Sequence, residues 1–130
     1  MRTFFVLFLL LLLPAFAADT DIAGKHAGEW KSSSSDVGGP IRFTLEGSAG
    51  GAWKCELSFG LNGADVKTTM KTVKVEGSKI ELLYDFDAGG MTLTSHVTGE
   101  WNGSGFKGSY DTTGGGVPVD SGSWSASKAK

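Results

Sequence analysis

The stretch VTGEWNGSGFKGSYD, Val97 to Asp111, sets four glycines among three large aromatic residues. Asn102-Gly103 is the strongest short-range hairpin signal, because glycine reaches the positive φ that a tight reversal needs. Val97 to Trp101 is then the incoming strand, and Phe106, Gly108 and Tyr110 share one face of the outgoing strand. Gly99 and Gly108 fall inside the strands, where a missing side chain makes room for a neighbouring ring or lets the strand bend. A glycine loop that cradles phosphate needs a helix after its glycines, and no helical stripe follows here. The stretch therefore reads as a hairpin and not as a ligand loop.

The same grammar extends outward in both directions. Ile41, Phe43 and Leu45 alternate with Arg42, Thr44 and Glu46; Trp53, Cys55, Leu57 and Phe59 alternate with Lys54, Glu56 and Ser58. Ile80, Leu82, Tyr84 and Phe86 follow the rule, as do Met91, Leu93, Ser95 and Val97. A period of two marks half-buried strands, and glycine punctuation at Glu46-Gly47 and Glu76-Gly77 adds further reversals. The pattern predicts an all-β chain of eight strands, near residues 26–34, 40–46, 52–60, 65–76, 79–86, 91–101, 104–111 and 119–128. Val66, Thr68 and Met70 share one parity while Val73 and Val75 share the other, so a bulge near Lys71-Thr72 is expected to restore a continuous inward face. Short connections favour sequential antiparallel pairing, and eight strands suffice to close an up-and-down barrel. A β-sandwich is the alternative architecture.

The first 17 residues stand apart from this pattern. Arg2, the apolar run Phe4 to Leu13 and the small residues ending at Ala17 have the layout of a signal peptide cleaved after Ala17. The run is shorter than the roughly 20 apolar residues that span a bilayer. The expected organisation is a signal peptide at 1–17 and a single domain at 18–130, secreted or periplasmic. A formal net charge of −2 carries no footprint for nucleic acid or for an anionic membrane. Cys55 is the single cysteine, so no internal disulfide forms, and its place among large apolar residues of the same parity predicts a buried, inert thiol.

Gly28-Glu29-Trp30 near the start and Lys128 near the end resemble the calycin pattern shared by lipocalins, fatty-acid-binding proteins and avidins. The resemblance implies that Trp30 lies across the closed end of the barrel under a cation from the last strand, Lys128, as a cation-π closure. Trp30, Trp53, Trp101 and Trp124 do not reproduce the later avidin motifs, so biotin binding is not implied, and the helix and long first loop usual in lipocalins are absent. The chain is also similar to small periplasmic inhibitors of bacterial metalloproteases, with Ala18 to Lys25 as the arm that would enter a protease cleft, although those inhibitors commonly carry a disulfide. Its "SGSWSASK" ending resembles small secreted bacterial proteins with no assigned function.

Catalysis finds little support. His26 and His96 have opposite parity, with His96 on the outer face, and no nucleophilic triad, metal-ligand spacing or close carboxylate pair can be assembled. Asp36, Asp65, Asp87 and Asp111 are spread over separate loops as turn-forming carboxylates, so neither a metal nor a cofactor is expected. In a simple meander, one barrel end carries SDVGGP, LNGAD, DAGG and TTGGGVPV, connections expected to be longer and more polar; that end is the expected mouth. Inward residues leading to it, Phe59, Tyr84, Phe86, Met91 and Tyr110, are the candidate ligand-binding set. Three readings stand: a non-catalytic binding module holding a small apolar molecule, a protein-interaction module working through its arm or mouth loops, and a ligand-free structural envelope protein. A membrane-spanning barrel is disfavoured by the short loops and the lack of aromatic girdles.

Overall fold

The computed structural model describes residues 22–47 and 51–129. The expected signal peptide and the turn after Gly47 lie outside the described residues. Nine strands carry the pleated alternation: β1 (Gly24–Ser32), β2 (Gly38–Gly47), β3 (Trp53–Leu61), β4 (Ala64–Lys67), β5 (Thr69–Glu76), β6 (Lys79–Ala88), β7 (Met91–Trp101), β8 (Gly105–Gly114) and β9 (Val117–Lys128). They form one sheet in the order β4-β3-β2-β1-β9-β8-β7-β6-β5, antiparallel at every step. The sheet curls until β5 returns alongside β3, giving a nearly closed up-and-down barrel and excluding the sandwich.

The ninth strand comes from a break in the expected fourth one. Thr68 donates its hydroxyl to the Leu57 carbonyl at 2.7 Å, and at this point the chain leaves its pairing with β3 and joins β6. The expected bulge is present: the β5–β6 register shifts between Met70 and Thr72, after which Val73 faces Leu82 and Val75 faces Ile80. A second bulge was not legible from alternation. In β8–β9 the register moves from Thr112 opposite Asp120 to Thr113 opposite Pro118, so Val119 has no partner in the ladder.

Burial follows parity. His26, Trp30, Ile41, Phe43, Leu45, Cys55, Leu57, Phe59, Ile80, Leu82, Tyr84, Phe86, Val97, Trp101, Phe106, Tyr110, Trp124 and Ala126 point inward. The outer wall presents polar side chains such as Arg42, Lys54, Glu56, His96, Lys107 and Ser123. A lipid-facing barrel has the reverse arrangement, with its apolar band outside. No helix among the described residues is long and apolar enough to cross a membrane.

The Val97–Asp111 hairpin forms as its sequence requires. Gly103 turns the chain at φ +100°, and the Asn102 side chain accepts from the backbone N–H groups of Ser104 and Gly105, both at 3.0 Å. Gly99 and Gly108 face each other across the ladder, and the Trp124 indole lies over them with Nε1 donating to the Thr98 carbonyl at 3.0 Å. A methyl group at Gly99 would stand 2.4 Å from the Trp124 ring, so these glycines are the space in which the ring sits.

One expectation about the ends is corrected. The mouth connections are not generally long: Asn62-Gly63, Gly89-Gly90 and Gly115-Gly116 are two-residue turns with both residues at positive φ. The ladders run further than the polar composition suggested, β6 to Ala88 and β8 to Gly114, and absorb residues read as loop. Only the connection through 33–37 is longer than a tight turn at this end.

Candidate functional site

Packing, and not loop length, distinguishes the two ends. The half of the barrel where β1 begins and β9 finishes is filled. His26 is 1% exposed and stacks on Phe43 at 5.0 Å, while Phe106 and Trp101 meet it edge-on at 5.1 and 5.7 Å. Ile22 is fully buried beside this cluster, and its carbonyl accepts the His26 Nε2–H at 2.8 Å. That bond leaves Nδ1 as the bare ring nitrogen, buried without a partner, as is Trp101 Nε1. Burial holds the His26 pKa below its ordinary value, and the charge of Lys128 adds to the effect, so the ring is a neutral part of the plug.

The other half is open. Between the plug and the mouth lies a cavity of about 260 Å³. Its floor is Trp30, Ile41, Val97 and Trp124, and its walls rise through Phe59, Tyr84, Phe86 and Tyr110 to Leu61, Ala88, Leu93 and Val119. The rings contact one another edge-on: Trp30 with Phe59 and Tyr110, each at 6.0 Å, and Phe59 with Phe86 at 5.0 Å. Trp30 Nε1 donates to the Gly60 carbonyl at 3.0 Å, which fixes the indole plane.

Two polar features interrupt this wall. Ser95 and Thr112 share a hydrogen bond of 2.6 Å across β7 and β8. Asp120 accepts from Tyr110 at 2.8 Å on one carboxylate oxygen, and from Ser32 at 2.7 Å and Ser34 at 3.3 Å on the other. Burial, then the bond to Asp120, raises the Tyr110 pKa, and burial pushes Tyr84 up to about 12. Both phenols therefore remain protonated at any physiological pH, and Tyr110 acts as a donor to the carboxylate.

Of the five candidate binding residues, Phe59, Tyr84, Phe86 and Tyr110 line this cavity together. Met91 does not line it. It shares their parity and stands opposite Ala88 at the first position of β7, but it is 56% exposed at the rim.

The closure pair is also placed differently. The first strand begins at Gly24, so Trp30 lies well along it toward the mouth and belongs to the cavity floor. Lys128 stands opposite His26, whereas Trp30 stands opposite Trp124. The lysine ammonium donates to the Ala23 carbonyl and pins the chain as it enters the barrel. The plug is thus built on His26, with Phe43, Trp101 and Phe106, and Lys128 does not cover Trp30. Ala18 to Lys25 is not a free arm over its described part, since Ile22 is buried and Lys25, in β1, pairs with Thr44 of β2.

Sequence reasoning put Ser95 on the inward face without assigning it to the site, and it missed Asp120, Ser32 and Thr112. Alternation of apolar residues cannot flag inward polar ones. Pro118 was the available signal for Asp120, because a proline inside a strand marks an edge or a bulge, and the bulge at Val119 brings Val119 and Asp120 together to the cavity. Cys55 is buried, and burial pushes its thiol pKa up to about 12. His96 lies on the outer face, hydrogen-bonded to Glu81. Among the described residues no cluster of three His, Cys, Asp or Glu side chains is placed to hold a metal. No family model, curated protein or solved structure matches this chain.

Proposed function

We propose that this chain is a secreted or periplasmic, non-catalytic binding module of calycin-like layout that holds a small apolar or amphipathic molecule in the mouth half of its barrel. The cavity carries the reading. It is half-enclosed, apolar over most of its wall and furnished with a few convergent polar groups, the usual composition of a small-molecule site. An engineered apolar cavity of about 150 Å³ accommodates benzene. On that scale 260 Å³ takes an apolar body of roughly ten non-hydrogen atoms. The filled lower half, centred on His26 and Phe106, gives the site a rigid floor.

Titration with an apolar fluorescent probe tests the reading. Wild-type protein is expected to bind the probe saturably, and Ala88→Phe, which places a ring at the cavity's upper wall, is expected to abolish binding while urea unfolding stays close to wild type. A wild type that binds no probe removes the proposal. Equal binding by Ala88→Phe removes the assignment to this cavity.

A second reading draws on the rim. Val37, Met91, Val117 and Val119 are exposed, and all four lie at the mouth end, where they form a broken apolar collar. Such a collar suits docking of a protein partner through the mouth. Cross-linking that captures a partner through the rim, together with a cavity that takes no probe, would favour this second reading.

A further inference from the structure

Asp120 is the one carboxylate in a cavity lining whose other side-chain polar groups, such as those of Ser95, Thr112 and Tyr110, are neutral. Its three neighbours, Tyr110, Ser32 and Ser34, are neutral hydroxyl donors, which orient the carboxylate without cancelling its charge. The ion pairs among the described residues, Arg42–Asp65 and Lys71–Asp85, and the His96–Glu81 contact do not include it. A charge taken partly out of water is costly unless a counter-charge accompanies it. Three donations still leave the two oxygens with accepting capacity, because an ionised carboxylate offers about four lone-pair sites.

The aromatic surroundings point the same way. The Tyr110 ring meets the Trp30 indole edge-on at 6.0 Å, Trp30 likewise meets Phe59, and all three line the same cavity as Asp120. Ring faces attract organic cations, and a carboxylate flanked by aromatic side chains combines both attractions in one place. At the rim, Asp36 and Asp87 likewise stand outside the ion pairs of the described residues. An anionic amphiphile such as a fatty acid would bring its carboxylate against Asp120.

From these features we infer that the barrel selects an organic cation: an ammonium-bearing molecule whose nitrogen sits at Asp120 and whose apolar body fills the space between Trp30, Phe59 and Phe86. This rests on the small-molecule reading above and adds the charge of the ligand to it.

Three probes of matched shape test the inference: 3-phenylpropylamine, 3-phenylpropan-1-ol and 3-phenylpropanoate, each titrated calorimetrically at neutral pH and physiological ionic strength. A charge-assisted hydrogen bond exceeds a neutral one by enough for the amine to bind at least about tenfold more tightly than the alcohol. The acid is expected to bind most weakly. Asp120→Asn keeps the shape and one acceptor oxygen; it should reduce amine affinity to the level of the alcohol. The wild-type ranking needs no variant, so a folding defect in Asp120→Asn does not shield the inference. Alcohol and amine binding equally, or the acid binding best, overturns the charge assignment and leaves the cavity reading standing. Failure of all three to bind overturns both.

Discussion

Substitution of Gly108 by alanine separates a structural role for the hairpin glycines from a role in binding. The added methyl would lie 1.9 Å from the Thr98 carbonyl oxygen, 2.7 Å from Gly99 Cα and 2.7 Å from Trp124 Nε1. Two of these are backbone atoms of the paired strand and cannot swing aside. Accommodation requires β7 and β8 to separate and the Trp124 indole to move, breaking its 3.0 Å hydrogen bond to Thr98. Overpacking of this kind costs about 1–3 kcal/mol, and the lost hydrogen bond adds about 1 kcal/mol, so the expected destabilisation is roughly 2–4 kcal/mol. With urea m-values of about 1–3 kcal/mol/M, the unfolding midpoint should fall by roughly 1 M or more. Ser109→Ala, next in sequence but exposed on the outer wall, should stay within about 0.5 kcal/mol of wild type. In a Trp124→Leu background the penalty for Gly108→Ala should shrink but persist, because the ring is gone and the Thr98 carbonyl is not. A Gly108→Ala protein that melts with wild type would refute the reading of Gly99 and Gly108 as the space for Trp124.

Two further outcomes follow from the buried groups. His26 has a folded pKa below 6.5, so between that folded value and 6.5 the unfolded chain binds the additional proton. Stability should therefore hold above about pH 7.5 and decline as the pH falls through 6.5, and His26→Phe should flatten that part of the profile; an unchanged slope in the variant would place the titration elsewhere. The Cys55 thiol, buried and with its pKa pushed up to about 12, should resist a thiol reagent at pH 8 until denaturant is added. Rapid labelling of the native protein would show the β3 face to be solvent-accessible.

The fold was readable from sequence to the extent that burial followed a simple parity. Alternation in residues 41–45, 53–59, 80–86 and 91–97 placed the inward faces correctly, and the parity conflict between Met70 and Val73 located a real bulge. The split at Thr68 escaped because a hydroxyl capping the Leu57 carbonyl leaves no trace in the apolar pattern. The Gly28-Glu29-Trp30 motif led to a closed-end position because the strand was started too late; with β1 beginning at Gly24, the residue that closes the barrel is His26. Four of the five candidate cavity residues meet in space because aromatic residues of one parity near the mouth have nowhere else to point, whereas Met91, at the rim where β7 begins, stays exposed. Asp120 required knowledge of how β8 and β9 slip past each other at Pro118, and that register is a tertiary property.

The central claim is that the mouth half of the barrel admits a guest while the half around His26 does not. A two-dimensional NMR titration of the protein with 3-phenylpropan-1-ol tests it directly, since each half reports separately. The account predicts saturable shifts at Phe59, Tyr84, Ala88, Leu93 and Tyr110, with the signals of Ile22, His26, Leu45 and Phe106 unmoved. Absence of saturable shifts, or shifts confined to the outer wall around His96 and Ser123, would contradict it.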